Sequence, residues 1–517
     1  MPAARETPRT SSQSRASRNW LPGLVLLLIA AAVRLLPALG DFWLDEVWTW
    51  ARTLQVNSAA EILFNLPDEN NHILNTLVVW LIGPEAHWTL YRIPAVLAGC
   101  GTILLAAVLS DGSQENRLAS WIAGLTVGSS YLMIHYTSEA RGYAYVMLFA
   151  LLAHWLLQRA LATGRVGYYL GFSAACIFGF LSQLMFVYWF AAAGVWAAFH
   201  LWRAQCRLPR MAGILAGLFG PPLVFLGWLY AVFIQYLHNG GGPRYAPLDV
   251  VLRTLSLTAG GPMDGAGTVI AALAVMAVAA WSLWQLARRC GDDRWLLYVL
   301  VIVVMPAGLL IVLQRPEVYV RYFLLSALYL QLLLAGELSR WLNEPGGRRY
   351  VAGMLLGLLL AGNFLHVGRL YQHGRGQYLA VLEEICRQTR GPVATIGSDH
   401  DFRNGMMLSY YQQWLPPGPQ IQYIPVSRWS STQPEWILTH SLDRQHQPPA
   451  ELHPPAGGRY RLEQIARYAG LSGWQWHLYH RDAGRLAASP VHSGRNARVL
   501  AEELAMLPAG NRDSPAR

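Results

Sequence analysis

Stretches of about 20 consecutive, mostly apolar residues recur along the first two thirds of the chain, and each would cross roughly 30 Å of hydrocarbon as a helix. Few folds tolerate such a pattern. The 517 residues are 54% hydrophobic and only 14% charged, against about 25% charged in an ordinary soluble domain. That composition excludes a plain soluble enzyme and points to an all-α polytopic membrane protein. The apolar runs place spans at approximately Trp20–Leu39, Tyr91–Ser110, Arg117–His135, Gly142–Arg159, Val166–Gln183, Met185–Trp202, Met211–Tyr236, Ala266–Ala287, Trp295–Leu313, Val320–Leu338 and Tyr350–Val367, about eleven in all. The Ser/Arg-rich segment 1–19 has no apolar period and reads as a disordered cytoplasmic tail. Followed by an apolar run it could mimic a signal peptide, but that run exceeds the usual apolar core of one and many more spans follow.

The net charge of +10 is carried without a single lysine, so every strong base is an arginine. Arginine excess alone could suggest nucleic acid. Here it reads as topology, because positively charged flanks are retained on the cytoplasmic side. With the N-terminus inside, Arg5, Arg18, Arg117, Arg159, Arg207, Arg288, Arg340 and Arg349 fall on the inner face with most of the others. Arg52, Arg92, Arg141, Arg244, Arg253, Arg315 and Arg321 fall on the outer face. This bias supports an odd number of crossings in the plasma (inner) membrane, with the C-terminal region outside.

The apolar segment Ile73–Gly83 is too short to span and reads as interfacial or re-entrant. From 368 to 481 the composition turns polar, with strand-like runs Val393–Ile396 and Trp436–Thr439 around a helical Asn404–Gln413. A small outer-face α/β domain is expected there, and segment 482–517 reads as a mobile tail. Between glycine runs, the outer loop Asn239–Pro262 contains a short amphipathic helix, Leu248–Leu257, and reads as a connector or a hinged cover. Among the five cysteines only Cys386 falls outside, so no outer disulfide within the chain is expected, and no spacing resembles a metal knuckle.

Three groups could carry chemistry. The first is Asp41-Phe42-Trp43-Leu44-Asp45-Glu46-Val47-Trp48-Thr49-Trp50, directly after the first span. If helical, it puts Asp41 and Asp45 on one face and Glu46 about 100° around. Trp43, Trp48 and Trp50 are of the type that anchors a helix at the headgroup level. A capped acidic helix start would explain the carboxylates equally well. The second group, Ser138-Glu139-Ala140-Arg141-Gly142-Tyr143, allows a local Glu139–Arg141 balance; the third, Arg315-Pro316-Glu317-Val318-Tyr319-Val320-Arg321-Tyr322, sets Arg321 where hydrocarbon begins. An arginine there needs a carboxylate, a cavity or a phosphate, or must snorkel. Arg34, inside the first span, is subject to the same demand and could reach the outer surface from its last turn. The expected topology gathers Asp45, Glu46, Glu139 and Arg321 at one depth on one side.

Leu44-Asp45-Glu46, Leu90-Tyr91-Arg92-Ile93-Pro94-Ala95, Ser138-Glu139-Ala140-Arg141-Gly142-Tyr143 and Arg321-Tyr322-Phe323, in that order, resemble the GT-C membrane glycosyltransferases. They are most similar to the protein O-mannosyltransferase-like branch, glycosyltransferase family 39 with its bacterial lipid A-modifying relatives. The resemblance covers residues 20 to 366. Glu69-Asn70-Asn71-His72-Ile73-Leu74 stands where many relatives carry a His-Pro-Pro-Leu-Tyr-like run, with only the histidine and the apolar continuation matching. The resemblance implies transfer of a sugar from a polyprenyl-phosphate donor to an outer-face acceptor, a glycolipid such as lipid A, a polymer or a protein, usually with inversion. On that basis Asp45 is expected as the base that takes the acceptor proton, with Glu46 or Glu139 orienting the acceptor. Arg321, then Arg141, with Tyr322 beside them, are expected to bind the leaving phosphate. His72 and Arg34 are possible substrate contacts. No cofactor is required; Asp41, Asp45, Glu46 and Glu139 could supply oxygens to Mg²⁺ or Ca²⁺. The competing class is a transporter or lipid flippase, but such proteins place charges near the midplane and often show two related halves, which this sequence lacks.

Overall fold

The computed structural model describes residues 21–110, 117–237, 241–289, 292–313 and 317–482. The tails expected at 1–19 and beyond 482, and Arg315, lie outside the described residues. Helix α1 (Leu21–Ala38) is followed by three short helices, α2 (Leu44–Thr53), α3 (Ala59–Phe64) and α4 (Ile73–Ile82), which fill the first long loop. The bundle continues through α5 (Trp88–Ser110), α6 (Arg117–Ser129), α7 (Tyr131–Thr137), α8 (Tyr143–Thr163), α9 (Val166–Ser182), α10 (Phe186–Arg203) and α11 (Leu208–Val232). After α12 (Pro247–Thr258) come α13 (Ala266–Ala287), α14 (Arg294–Val299), α15 (Met305–Leu313), α16 (Leu324–Asn343) and α17 (Gly347–His373). A π-helical turn, Leu300–Val304, joins α14 to α15, and a 3₁₀ turn, Val320–Phe323, precedes α16.

Helix occupies every expected span, and among the described residues seven helices are long and apolar enough to cross a membrane, Trp88–Ser110, Tyr143–Thr163 and Val320–Asn343 being three of them. Eleven crossings are not shown: Gly23–Ala38 and Val166–Ser182 are apolar but shorter. The bundle's flanks are themselves apolar. Val224 on α11 and Phe364 on α17 are about three quarters exposed, and such a surface needs lipid against it. By contrast, Val320–Asn343 buries 89% of its apolar window and forms the axis of the bundle. The chain is a multi-pass membrane protein.

Arg34 corrects one expectation. Its guanidinium does not reach the surface; it is fully buried and donates to Thr137 Oγ1 (3.0 Å) and to the carbonyls of Ala30, Val127 and Gly128. The last two belong to the end of α6, where the chain turns extended at Ser130 before α7 (φ −62°, ψ 123°). Carbonyls freed at a helix end inside a membrane need donors, and Arg34 supplies them.

Beyond the bundle lies a six-stranded sheet of order β2-β1-β3-β6-β5-β4. Its strands are β1 (Val393–Ser398), β2 (Gln420–Tyr423), β3 (Trp436–Ser441), β4 (Glu451–Leu452), β5 (Tyr460–Ala466) and β6 (Gln475–Arg481). β1 runs parallel to β2 and β3, and the remaining pairs are antiparallel. Helices α18 (Tyr378–Gln388) and α19 (Asp401–Tyr411) accompany it. Helix α17 continues to His373, past the change of composition at 368, because no proline or capping signal stops it there.

One apolar core joins Trp436, Trp476 and Tyr378 of this unit to Phe42, Trp43, Trp48 and Trp50 of the first long loop. The three tryptophans expected as headgroup anchors are therefore packed inside: Trp48 meets Phe402 edge-on and Trp50 meets Tyr410. Helix α2 lies between the bundle and the sheet unit.

Candidate active site

Helix α2 begins at Leu44, with Trp43 as its extended N-cap, so Asp41 precedes the helix and does not share a helical face with Asp45. Asp41 Oδ2 instead accepts the Leu379 N–H at 2.9 Å, capping the first turn of α18. Burial pushes the Asp41 carboxyl up to about 6.

Glu46, one residue after Asp45, faces the bundle. Arg92 Nε donates to Glu46 Oε1 (2.8 Å) and Arg92 Nη2 to Oε2 (2.5 Å), a bidentate pair that is fully buried on both sides. The Ala140 N–H donates to Glu46 Oε1 (2.7 Å) and the Trp43 N–H to Oε2 (3.3 Å). Arg92 also donates to the carbonyls of Ala38, Gly40 and Asp41. With both oxygens taken, Glu46 ties α2 to α5 and to the turn before α8, rather than orienting an acceptor.

Glu139 likewise turns away from Arg141. Its Oε1 is 3.0 Å from Arg375 Nε and 3.1 Å from His135 Nε2, all fully buried. Burial opposes its charge, yet the Arg375 guanidinium and His135 together hold the carboxyl well below the usual carboxylate range. Arg375 further donates to Ser138 Oγ (2.9 Å) and to the carbonyls of His135 and Pro37. The expected Glu139–Arg141 balance is replaced by a partner more than 200 residues away.

That leaves Asp45 as the carboxylate at the open face. Its Oδ2 lies 3.5 Å from Arg141 Nη2 and 3.6 Å from Arg321 Nη1, and its side chain is 13% exposed against 0% for Glu46. Burial pushes the Asp45 carboxyl up, and the guanidiniums of Arg141 and Arg321 offset part of the rise. Arg321 sits on the 3₁₀ turn ahead of α16, over the ring of Tyr319 (4.3 Å) and near those of Trp43 and Tyr322. Its side chain keeps 20% of its surface exposed, so an anion can reach it.

Arg141 is held more tightly. Its Nη1 donates to Asn70 Oδ1 (2.7 Å), the Asn70 carbonyl (3.0 Å) and Thr49 Oγ1 (3.2 Å). Asn70 Nδ2 in turn donates to the Asp45 carbonyl (2.9 Å). Arg141 thus positions the turn of α2 that carries Asp45. His72 belongs to the same group: the Gly142 N–H donates to His72 Nδ1 at 2.8 Å, which leaves the ring proton on Nε2, 3.5 Å from Arg141 Nη2. Burial, with Arg141 and Arg321 nearby, pushes the His72 imidazole well down, so it is neutral. The same Arg141 Nη2 stands 3.5 Å from Asp45 Oδ2. Residue 142 has to be glycine, since a Cβ there would lie 1.8 Å from the Ser182 carbonyl oxygen.

The four carboxylates expected as possible metal ligands do not converge: Asp41 caps α18, Glu46 and Glu139 are bound to Arg92 and Arg375, and Asp45 stands between arginines. Among the described residues no group of three His, Cys, Asp or Glu side chains is placed to hold a metal ion. Sequence reasoning missed Arg375, Asn70 and Thr49. Arg375 carried no signal at all, standing in the glycine-flanked link after α17.

No protein-family model matches the chain, and no curated protein matches it. Among solved structures it is similar to ArnT from Cupriavidus metallidurans in the apo state, at 13% identity and a TM-score of 0.49, covering 81% of this chain and 93% of that one. It is also similar to ArnT from the same organism bound to undecaprenyl phosphate, at 12% identity and a TM-score of 0.48, covering 90% and 98%. A third is the archaeal oligosaccharyltransferase AglB from Archaeoglobus fulgidus in complex with an inhibitory peptide and a dolichol-phosphate, at 11% identity and a TM-score of 0.42, covering 81% and 69%.

Proposed function

We propose that this chain is a membrane glycosyltransferase that moves a sugar from a polyprenyl-phosphate donor to a hydroxyl of an envelope acceptor on the outer face, with inversion. The observation that supports this most is the Asp45 carboxylate, raised in pKa by burial, between Arg141 and Arg321 at the ends of apolar helices. The acceptor oxygen attacks the anomeric carbon as its proton passes to Asp45, and the bond from that carbon to the phosphate oxygen breaks. Charge then grows on the leaving polyprenyl phosphate. Arg321, the more exposed cation, receives it through charge-assisted hydrogen bonds, with the His72 Nε2–H and Arg141 behind. Because a phosphate leaves readily and two guanidiniums are in place, the chemistry runs without a metal.

The test is Asp45→Asn, which keeps volume and hydrogen bonding but removes the base. Reconstituted with a polyprenyl-phosphate sugar and envelope glycolipid, this variant should bind the donor and lose transfer by at least about a hundredfold, the scale of general-base catalysis. Near-normal turnover would overturn the assignment. Transfer that is unchanged after EDTA treatment is the matching expectation for metal independence; loss restored by Mg²⁺ or Ca²⁺ would reject it.

A further inference from the structure

In open sheets with parallel strands, ligands bind beyond the carboxyl ends of the strands, at the point where successive connections leave in opposite directions. Here that point lies between β1 and β3, since β2 flanks β1 on one side and β3 on the other. The chain places Ser398 at the end of β1 with Asp399-His400 directly after it, and His440-Ser441 at the end of β3, with α19 opening after His400.

The side chains there are fixed and only partly satisfied. His440 Nδ1 donates to Asp399 Oδ1 (2.9 Å), and the His440 N–H donates to Asp399 Oδ2 (2.9 Å). Arg403 Nη1 then donates to His440 Nε2 (3.1 Å). His400 caps α19, its Nδ1 accepting the Arg403 N–H at 3.3 Å. That bond puts the ring proton on His400 Nε2, which is buried and has no partner, and the ring stands 5.8 Å from His440 at 80°. Trp474, 5.7 Å from His440, has a buried and unpartnered Nε1. Buried donors without acceptors are uncommon and call for an occupant.

Helix α19 links the cleft to α2. Phe402, in the first turn of α19, packs on Trp48, one turn beyond Asp45 on α2.

We propose that the cleft between the carboxyl ends of β1 and β3, walled by Asp399, His400, Arg403 and His440, binds a hydroxyl-rich saccharide portion of the acceptor. A carboxylate beside a guanidinium and imidazole N–H groups matches sugar hydroxyls, which both donate and accept. A phosphate would meet the Asp399 carboxylate, whose side chain is one third exposed. This inference rests on the transferase function proposed above and names where its acceptor is held.

The test uses full-length protein in nanodiscs and a panel of methyl hexoside, hexosaminide, pentoside and uronide at millimolar concentration, followed by saturation-transfer NMR. At least one saccharide should show transfer in the wild type. In His400→Asn, where asparagine preserves the helix cap but removes Nε2–H, its affinity should fall about tenfold, the worth of one hydrogen bond to a buried donor. Asp399→Asn should weaken it likewise, and Asp45→Asn should leave it intact. Absence of binding across the panel, binding unchanged in both cleft variants, or binding of inorganic phosphate in place of saccharide would each overturn the proposal. Saccharide binding persists if the catalytic assignment of Asp45 is wrong, so the two failures are distinguishable.

Discussion

A carboxylate flanked by two arginines has its pKa set by opposing forces, and the direction of each is known at Asp45. Burial raises it; Arg141 and Arg321 lower it. A general base works deprotonated, so kcat/KM should fall as pH drops through this pKa, at higher pH than for an ordinary aspartate near ~3.9. Arg321→Ala removes one of the lowering charges. Its acid limb should therefore move further up in pH, while donor affinity drops roughly 10- to 100-fold with the loss of a charge-assisted hydrogen bond. A limb that stays in place, measured by transfer rates across pH, would show that another group is the base. Asp45 and Arg321 were legible as members of one group because each stands at the end of an apolar run, and Arg141 entered only through the family resemblance. Glu46 and Glu139 were not separable from them by that criterion. What distinguishes them is a buried arginine brought from elsewhere in the chain, and no local spacing reveals such a partner.

At the scale of elements, α2 depends on the Glu46–Arg92 pair, which joins it to α5 across 46 residues. Replacing a buried pair with apolar groups can be neutral, but removing one partner strands a charge. Arg92→Met should cost about 3–5 kcal/mol, read as a lower unfolding temperature in detergent, whereas the double variant Arg92→Met/Glu46→Leu should recover much of it. Equal destabilisation of single and double variants would remove the pair from its structural role. Helix positions were readable from length and hydropathy alone, because a lipid-facing helix needs nothing else. Breaks were not: α6 and α7 form one apolar run, and the extended residue Ser130 between them is tolerated only because Arg34 supplies donors from α1. Burial of Trp43, Trp48 and Trp50 was equally invisible, since the same residues would suit a membrane interface.

For the molecule as a whole, Arg375 is the peg between bundle and sheet unit. It stands in the two-residue turn after α17 and buries its guanidinium against Glu139, Ser138 and the carbonyls of His135 and Pro37. Arg375→Met should loosen the junction. Limited proteolysis should then cut near residues 374–377, and transfer should fall even though Asp45 and Arg321 are untouched. Persistence of a protease-resistant, fully active protein would show that the apolar core around Tyr378 and Trp50 suffices by itself. The domain order was legible from the change in composition, but its seating was not, because it is determined by long-range side-chain pairs.

Since α2 shares one core with the sheet unit, the carboxylate proposed to activate the acceptor hydroxyl is carried by neither half alone. Chimeras that graft a foreign sheet module onto this bundle should fail unless the first loop travels with it, and selection on the two segments must proceed jointly.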